Sequence, residues 1–227
     1  MERYRSSKVW QGKKIFQWGI FLGWVLLFIV SCAAPHLSIK ADAVPRLSEV
    51  RNLIRLPLIR QATDYTCAVA ALQSVLYYYG EEFREDQLAK ALESTPENGT
   101  DYRRIVRFAT ERGYQVEVLS DISLQDLQSM IDRKIPMIVA LQAWAEQAVN
   151  WETSFEEGHY AVVVGYDRKN MYFMDPSTLG HYTFIPTSEF LRRWHDKHTD
   201  GTILNRFGIV ISKDRPYYDA EVILYMK

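Results

Sequence analysis

Two cysteines, Cys32 and Cys67, are all that the 227 residues contain. So few thiols cannot form the disulfide framework on which many small secreted domains depend. A bridge between the two is formally possible, although the neighbours of each cysteine give it a separate explanation. The sequence also lacks a Cys/His cluster with the spacing of zinc ligands. We therefore expect no metal and no cofactor.

A strong net charge is absent as well, since the formal value is -1. Residues 1–31 hold five basic residues against one acidic residue, and removing that excess of four positive charges leaves the rest of the chain at -5. A body of this sign has no general attraction to nucleic acid. Hydrophobic residues make up 48% and charged residues 24%, without repeats or low-complexity tracts, which is typical of one globular domain.

The apolar run near the N-terminus is short, since residues 18–30 number 13 and about 20 are needed to span a bilayer. Basic residues precede it, so residues 1–31 have the pattern of a secretory signal. An uncleaved anchor helix is the alternative, because Gln17 and residues 31–34 could lengthen the run. In both cases the basic residues stay inside, and the body faces the periplasm or the cell exterior.

The end of that run, Ile29-Val30-Ser31-Cys32, resembles the lipobox of bacterial lipoproteins. The resemblance implies that the signal is cut before Cys32 and that the Cys32 thiol is diacylated. Two or three acyl chains hold a protein stably on a membrane, whereas one does not. Residues 32–51, which mix small and polar side chains, then form a tether. Residues 52–227 form the folded domain.

The pattern of the body places helices before most strands, which favours an α+β fold over alternating βαβ units. Helices are expected at 67–79, 84–93, 101–112, from 123 onward and at 187–194. Strands are expected at 114–119, 137–141, 160–166, 171–174, 207–211 and 221–226. Residues 54–60 contain Pro57 and are expected to form an edge strand or an extended segment before the first helix.

Cys67 opens the most apolar of these helices, at a position that favours reactivity. The first N–H groups of a helix have no partner inside it, and the helix dipole puts partial positive charge there. Both effects push a thiol toward thiolate, the nucleophilic form. The same N–H groups can stabilise an oxyanion. Gln61, six residues upstream, is a candidate second donor to that oxyanion, with an ordinary surface side chain as the alternative.

His159 is the best placed of the five histidines to serve as the proton-shuttling partner that a thiolate needs. It opens the apolar strand 160–166, and a base at the mouth of a strand is well placed beside a cleft. His181, His195 and His198 stand in polar stretches, where we expect them to be exposed. The sequence therefore favours His159 as the general base.

Asp175 follows the second strand of the predicted hairpin, sixteen residues after His159. Pairing of the two strands would bring its carboxylate back to His159, where it can accept the second imidazole N–H and fix the tautomer. A carboxylate before Pro176 is also a common turn former, and that explanation stays open. The sequence thus supplies a nucleophile, a base and an orienting carboxylate.

Together these residues resemble the papain-like family of bacterial double-glycine leader peptidases, which mature bacteriocins, and their stand-alone relatives. The resemblance extends over residues 56–195 and rests on Gln61, Cys67, residues 77–80, residues 158–160, Asp175-Pro176 and Gly180. It implies a papain-like cysteine peptidase fold, in which a helical half carrying the nucleophile packs on an antiparallel sheet carrying the histidine and the aspartate.

By the same resemblance, Cys67 is the nucleophile, His159 the base, Asp175 the group that orients the histidine, and Gln61 the oxyanion donor. Ala68 stands where that family often has glycine. No ATP-binding or transport domain follows, so we expect a stand-alone peptidase rather than a bacteriocin exporter.

We therefore expect an extracytoplasmic, membrane-tethered cysteine peptidase that cleaves a peptide or protein substrate. Acyl transfer or amidohydrolysis by the same residues, as in the transglutaminase-like relatives of papain, is one alternative. A catalytically silent peptide-binding module of the same fold is another. Trp144 and Trp151 precede His159 in a loop and could line a substrate groove, although ordinary packing explains them equally well.

Overall fold

The chain forms most of its helices before most of its strands. The computed structural model describes residues 44–50 and 52–226, which belong to one compact unit beginning at Val44. The predicted signal or anchor at 1–31 and the predicted lipidation of Cys32 lie outside these residues. Within the described part, no helix is both long enough and apolar enough to cross a bilayer.

After a short 3-10 helix at Leu47–Glu49, the described chain has three helices, a strand and a fourth helix, then four strands, a fifth helix and three last strands. The helices are α1 (Cys67–Tyr78), α2 (Glu85–Ala91), α3 (Tyr102–Glu111), α4 (Leu124–Asp132) and α5 (Thr187–Arg193). The strands are β1 (Gln115–Leu119), β2 (Met137–Gln142), β3 (Gly158–Tyr166), β4 (Asn170–Met174), β5 (Thr183–Pro186), β6 (His195–Lys197), β7 (Ile203–Asn205) and β8 (Gly208–Ser212).

The larger sheet of the described residues is six-stranded, in the order β1-β8-β2-β3-β4-β5. Every neighbouring pair in it is antiparallel. Strands β6 and β7 form a separate two-stranded ribbon. The predicted α+β class with an antiparallel sheet is confirmed.

Helix α1 is buried along most of its length because its sequence is apolar on nearly every side. Its residues 68–72 are at most 1% exposed. The two polar residues that interrupt the run are paired, since Ser74 donates to Pro57 O and Gln73 donates to Phe83 O, both at 2.7 Å. The helix ends before Gly80, whose φ of +90° lies in the left-handed region that glycine tolerates best.

One face of the sheet is covered by α5. The ring of Phe173 in β4 lies 5.5 Å from the ring of Phe190 in α5. Phe173 pairs with Val163 of β3, and side chains alternate along a strand, so Ala161 and His159 lie on that same face. His159 therefore sits at the start of β3, at the end of the face that α5 covers.

One predicted strand is wrong. Residues 221–226 form no strand and are exposed, with Ile223 at 96%. After β8, the chain is held at the end of α1, because the backbone N–H groups of Tyr217 and Tyr218 both donate to Tyr78 O, at 2.9 and 3.1 Å. An apolar run forms a strand only when it pairs with a partner edge, and this segment pairs with no strand of the described chain.

Of the two alternatives for residues 54–60, the structure has the extended segment. It carries no ladder of its own beyond the bond from Ile54 N to Val164 O, at 2.7 Å. Ile54 and Leu56 are buried at 1% and 2% exposure, so the segment is part of the core. It leads the chain directly to the N-terminus of α1.

Candidate active site

Cys67 is the first residue of α1, and its thiol is free and half-buried. Glu85 of α2 fixes the loop before it, because Glu85 Oε1 accepts from Thr66 Oγ1 at 2.6 Å and from Ala62 N at 2.8 Å. Thr66 directly precedes the helix and is buried. The thiol is thereby held at the helix N-terminus, where unpaired N–H groups and the dipole favour thiolate.

His159 and Asp175 are hydrogen-bonded to each other at the ends of adjacent strands. The imidazole Nε2 donates to Asp175 Oδ1 at 2.9 Å, and both side chains are almost fully buried. This bond leaves Nδ1 of His159 available to the Cys67 thiol, which lies close enough to the imidazole to shift its pKa. The structure thus brings Cys67 beside a hydrogen-bonded pair of His159 and Asp175.

Asp175 receives further donors. Ser177 N donates to Oδ1 at 2.9 Å, while the Trp144 indole N–H donates to Oδ2 at 3.0 Å and Thr183 Oγ1 to the same oxygen at 3.4 Å. Burial opposes the charged carboxylate, but the hydrogen bond and charge of His159 outweigh it and lower the pKa of Asp175. The residue both turns the chain before Pro176 and binds the imidazole.

The thiol and imidazole shift each other's ionisation. Burial raises the pKa of the Cys67 thiol, but the hydrogen bond and charge of His159 and the N–H groups of Tyr160 and Ala68 more than reverse it, so that the pKa is lowered. Burial lowers the pKa of His159, yet its bonds to Asp175 and Cys67 raise it to about 9. Both shifts favour a thiolate–imidazolium pair at neutral pH.

Gln61 lies beside the turn that carries Asp175. Its backbone N–H donates to Pro176 O at 2.9 Å, and its side-chain Oε1 accepts from Ser177 Oγ at 3.4 Å. The side-chain Nε2 donates to Thr63 O at 2.7 Å. One of the two amide hydrogens is thus bound within the loop, which leaves the second for another acceptor.

Trp144 and Trp151 lie in the loop between β2 and β3. Both line a cavity of about 300 Å³ that also exposes the side chains of His159 and Asp175. The ring of Trp151 lies under the guanidinium of Arg193, with 3.7 Å between the Arg193 Cζ and the ring centroid. The structure therefore places both tryptophans next to the proposed reacting groups, with Trp144 bonded directly to Asp175.

A second carboxylate near the site was missed by sequence reasoning. Asp196 accepts from Gln142 Nε2 at 3.0 Å and from Lys197 N at 2.8 Å, and burial raises its pKa to about 6. Its carboxylate rests on Gly158, where a Cβ would lie 2.8 Å from one oxygen and 2.9 Å from the other. No pattern in the sequence marks Asp196, because it is brought here only by the β6–β7 ribbon.

The expected exposure of the other histidines is wrong for two of them. His195 is buried against the ring of Phe155 and bonds Ser154 O at 2.9 Å. His198 is buried between Asp101 and Asp200, at 3.2 and 3.1 Å. Both histidines are buried in part by residues distant in sequence, and the polar residues next to them in the sequence do not reveal these contacts. Among the described residues, no group of His, Cys, Asp and Glu could hold a metal ion.

An apolar helix with a thiol at its N-terminus, packed on an antiparallel sheet that carries a histidine–carboxylate pair, defines the papain-like cysteine peptidase fold. The Peptidase_C39-like family model matches residues 53–201, and the chain belongs to that family. A comparison with curated proteins finds no significant match.

Several solved structures share the fold. The chain is similar to the peptidase domain of Streptococcus ComA, a bi-functional ABC transporter involved in a quorum sensing pathway, with 21% identity, coverage of 70% of this chain and 98% of that chain, and a TM-score of 0.51. It is similar to a C39-like peptidase from Bacillus anthracis, with 17% identity, coverage of 73% and 98%, and a TM-score of 0.55.

The third similar structure is a double glycine motif protease from an AMS/PCAT transporter, in complex with the leader peptide. It has 20% identity, coverage of 71% of this chain and 94% of that chain, and a TM-score of 0.51. At these identities the similarities show the fold.

Proposed function

We propose that the chain is a cysteine peptidase that works outside the cytoplasm while tethered to a membrane. The observation that carries the peptidase proposal is the hydrogen-bonded pair of His159 and Asp175 beside Cys67, with the thiol at a helix N-terminus. Membership of a peptidase-like family supports the same chemistry. A buried thiol kept only for packing would need neither the imidazole nor the carboxylate.

In the proposed reaction, the Cys67 thiolate attacks the carbonyl carbon of a peptide bond and forms a tetrahedral oxyanion. The His159 imidazolium then donates its proton to the departing amine, the carbon–nitrogen bond breaks, and an acyl-thioester remains on Cys67. Neutral His159 next removes a proton from water, which attacks the thioester and releases the carboxylic acid. Asp175 keeps the imidazole in its tautomer and orientation throughout.

The oxyanion needs donors at the N-terminus of α1. The first backbone N–H groups of the helix supply one set, and the free amide hydrogen of Gln61 is the proposed second donor. We expect Gln61→Ala to lower kcat by about a hundredfold, the scale for losing one such donor, without a change in melting temperature above about 2 °C. Wild-type turnover in this variant would remove Gln61 from the mechanism.

The proposed substrate is a peptide or a protein segment. The similar double glycine motif protease binds a leader peptide in its crystal structure, and a cleft between a helical half and a sheet suits an extended chain. We do not extend the double-glycine preference to this chain, because a similarity at 20% identity shows the fold and not the cleavage specificity.

The proposed tether is Cys32, whose surroundings resemble a lipobox. Cys32→Ala should either leave an uncleaved precursor or release the protein from the membrane fraction. Mass spectrometry of the N-terminus and fractionation of cells measure the two outcomes. An unchanged mass and an unchanged membrane fraction would contradict lipidation.

The peptidase proposal is tested by digesting a peptide library with the full-length chain and identifying the cut sites by mass spectrometry. We expect Cys67→Ala and His159→Ala to abolish cleavage, while His181→Ala, which changes an exposed histidine, keeps it. Products joined to an added amine, in place of hydrolysed products, would identify an acyltransferase. Tight peptide binding without any product would identify the silent binding module.

A further inference from the structure

The cavity beside His159 and Asp175 lies on the sheet face that α5 covers. It has a volume of about 300 Å³ and is bounded by the β2–β3 loop, by β3 to β5 and by α5. Volumes of this size are at the lower end of ligand pockets in proteins, and they suit a single bulky side chain. Neither Cys67 nor Gln61 lines it.

The walls of this cavity are aromatic and aliphatic. Rings come from Trp144, Trp151, Phe173 and Phe184, and Ile185 adds an aliphatic surface. Aromatic walls of this kind favour an aromatic guest, through burial of area and edge-to-face contacts.

The charged groups that line the cavity are paired with one another. His159 bonds Asp175, and Arg193 bonds Glu189. The guanidinium of Arg193 also covers the face of Trp151. With each charge partnered inside the wall, the cavity presents no net charge that would select a basic or an acidic side chain. One donor is left over, because Arg193 Nε is buried without a hydrogen-bond partner among the described residues.

The position of His159 decides which part of a substrate reaches the cavity. The acyl part of the substrate is held on Cys67, whereas the amine that leaves must lie within hydrogen-bond reach of the His159 imidazolium. The cavity is lined by His159 and Asp175 but not by Cys67. A chain that continues from the leaving nitrogen therefore starts beside His159, which lines the cavity, whereas the acyl part starts at Cys67, which does not.

We propose that this cavity binds a bulky aromatic side chain of the substrate, located within the first two residues after the cleaved bond. The inference rests on the proposed peptidase function and adds a specificity to it. It assigns Trp151, Phe173 and Ile185 to substrate selection. It also gives Trp144 a second contact, since the indole that holds Asp175 forms part of the same wall.

The test uses peptides cut by the full-length chain, with the acyl side fixed and the first and second residues after the cut varied. Burial of one aromatic ring corresponds to roughly 10- to 100-fold in kcat/KM. We expect peptides with Phe, Tyr or Trp to exceed those with Ala, Asp or Lys by that factor. Equal rates for all residues, or a preference for small or charged ones, would overturn the proposal.

A matched pair of variants locates the preference. Ala145→Trp places a ring in the cavity from its surface loop, and Ala148→Trp adds the same ring at an exposed position of that loop outside the cavity. We expect the ratio of aromatic to alanine kcat/KM to fall at least tenfold in Ala145→Trp and to stay unchanged in Ala148→Trp. An unchanged ratio in both variants would show that the cavity does not select the residue.

A second variant guards against misfolding. If Ala145→Trp has a melting temperature well below that of the wild type, Trp151→Ala removes a wall and should lower the same ratio. A second peptide series varies the residue before the cut and holds the residues after it fixed. If Ala145→Trp removes an aromatic preference in that series instead, the cavity lies on the acyl side and the assignment is overturned. Absence of cleavage of every peptide would instead contradict the proposed peptidase function itself, so the two failures are distinguishable.

Discussion

At the scale of single residues, Asp175 is the most heavily bonded group of the candidate site. His159, Ser177, Trp144 and Thr183 all donate to its two oxygens. A buried carboxylate with several donors stays ionised and keeps a fixed orientation. The imidazole that it binds is therefore oriented by a rigid acceptor and not by a free side chain. Trp144 reaches this position with a φ of +64°, which is uncommon for a bulky residue.

The first prediction concerns Trp144. Trp144→Phe keeps an aromatic wall but removes the indole N–H that Asp175 Oδ2 accepts. A hydrogen bond to a charged group contributes about 1.5–3 kcal/mol, and the partial exposure of Trp144 favours the lower end. We expect kcat to fall about tenfold. The basic limb of the pH–rate profile should also move to lower pH, because a less firmly held carboxylate stabilises the imidazolium less.

The matched control is Trp151→Phe, which changes a tryptophan of the same cavity that Asp175 does not contact. The basic limb of the pH–rate profile of Trp151→Phe should lie at the same pH as that of the wild type. A fall in kcat of equal size in both variants, with unmoved pH profiles, would mean that Trp144 acts through the wall of the cavity and not through Asp175.

The second prediction concerns the ionisation of Cys67. The thiol pKa is lowered and the His159 pKa is raised to about 9, so the ion pair exists between the two values. The rate of hydrolysis should show a bell-shaped dependence on pH, since it rises as the thiol ionises and falls near pH 9 as the imidazolium loses its proton. In a Cys32→Ala background, Cys67 should react with iodoacetamide already at pH 5–6, well below the ordinary thiol pKa of about 8.5.

His159→Ala should move that alkylation profile toward the ordinary thiol value, and urea-unfolded protein should show the ordinary profile as well. His181→Ala should leave the profile unchanged, since that histidine is exposed. If wild type and His159→Ala both react only near pH 8.5, Cys67 is an ordinary cysteine. The silent binding module would then be the better function.

Sequence reasoning selected Cys67, His159 and Asp175, and the structure has a hydrogen bond between His159 and Asp175 beside Cys67. Sequence reasoning could bring these residues together because a helix start and a strand hairpin are local features that the pattern of residues shows. It failed for His195, whose burial depends on Phe155 and Ser154, residues forty positions away. The bond from Trp144 to Asp175 was missed for the same reason.

At the scale of elements, long apolar runs were predicted and short strands were not. Helix α1 and strand β3 lie close to the predicted ranges, because their residues are buried whichever partner they meet. Strands β5, β6 and β7 have four, three and three residues, which are too few for a periodic pattern to be detected in the sequence. Their pairing is set by neighbouring strands, which a single-sequence pattern does not contain.

The third prediction concerns the β6–β7 ribbon and its Asp196. The folded-state pKa of this carboxyl is raised to about 6 from 3.8, so between these values the native state holds more protons than the unfolded state. The free energy of unfolding should therefore fall as the pH rises from about 4 to about 6, and the contribution of this group should be lost completely above pH 6. Asp196→Asn keeps Oδ1 as acceptor for Gln142 and Lys197 without the charge.

We expect Asp196→Asn to stabilise the fold at pH 8 by about 1–2 kcal/mol, within the limit that a shift of this size allows. At pH 3.5 the two proteins should melt at the same temperature. Thermal unfolding at both pH values measures the difference. A lower melting temperature for the variant at pH 8 would show that the charge of Asp196 stabilises the native state.

At the scale of the whole molecule, residues near both ends of the described chain contact the extended segment at 53–58. Val50 packs into the core beside Leu53, and Arg55 forms an ion pair with Glu221. Tyr182 donates to Leu56 O at 3.2 Å, so the segment is also held to the loop before β5. The segment that leads to Cys67 is thus supported from both sides by chain that is distant in sequence.

The apolar C-terminal residues contrast with this support. Val222, Ile223, Leu224, Tyr225 and Met226 are between 57% and 96% exposed. Their composition predicted a strand, because sequence pattern reports what a residue prefers and not whether a partner edge lies within reach. Just before them, the ring of Tyr218 lies 5.7 Å from Tyr77, and Tyr217 lies against Gly80. The boundary between packed and unpacked chain is therefore sharp.

The last prediction uses that boundary. Deletion of residues 222–227 includes the side chains of 222–226, which bury little surface, so the free energy of unfolding should change by less than about 0.5 kcal/mol. For a domain of this size that corresponds to about 2 °C or less in melting temperature. Deletion from residue 216 also removes Tyr217 and Tyr218, with the two hydrogen bonds to Tyr78 O at the end of α1. The melting temperature of this longer deletion should fall several times further than that of the shorter one. Turnover should fall as well, because α1 carries Cys67 at its other end.

Calorimetry of the two truncated proteins at neutral pH compares their melting temperatures directly. A large drop for the shorter deletion would show that the apolar end is packed in solution, against this chain or a second copy.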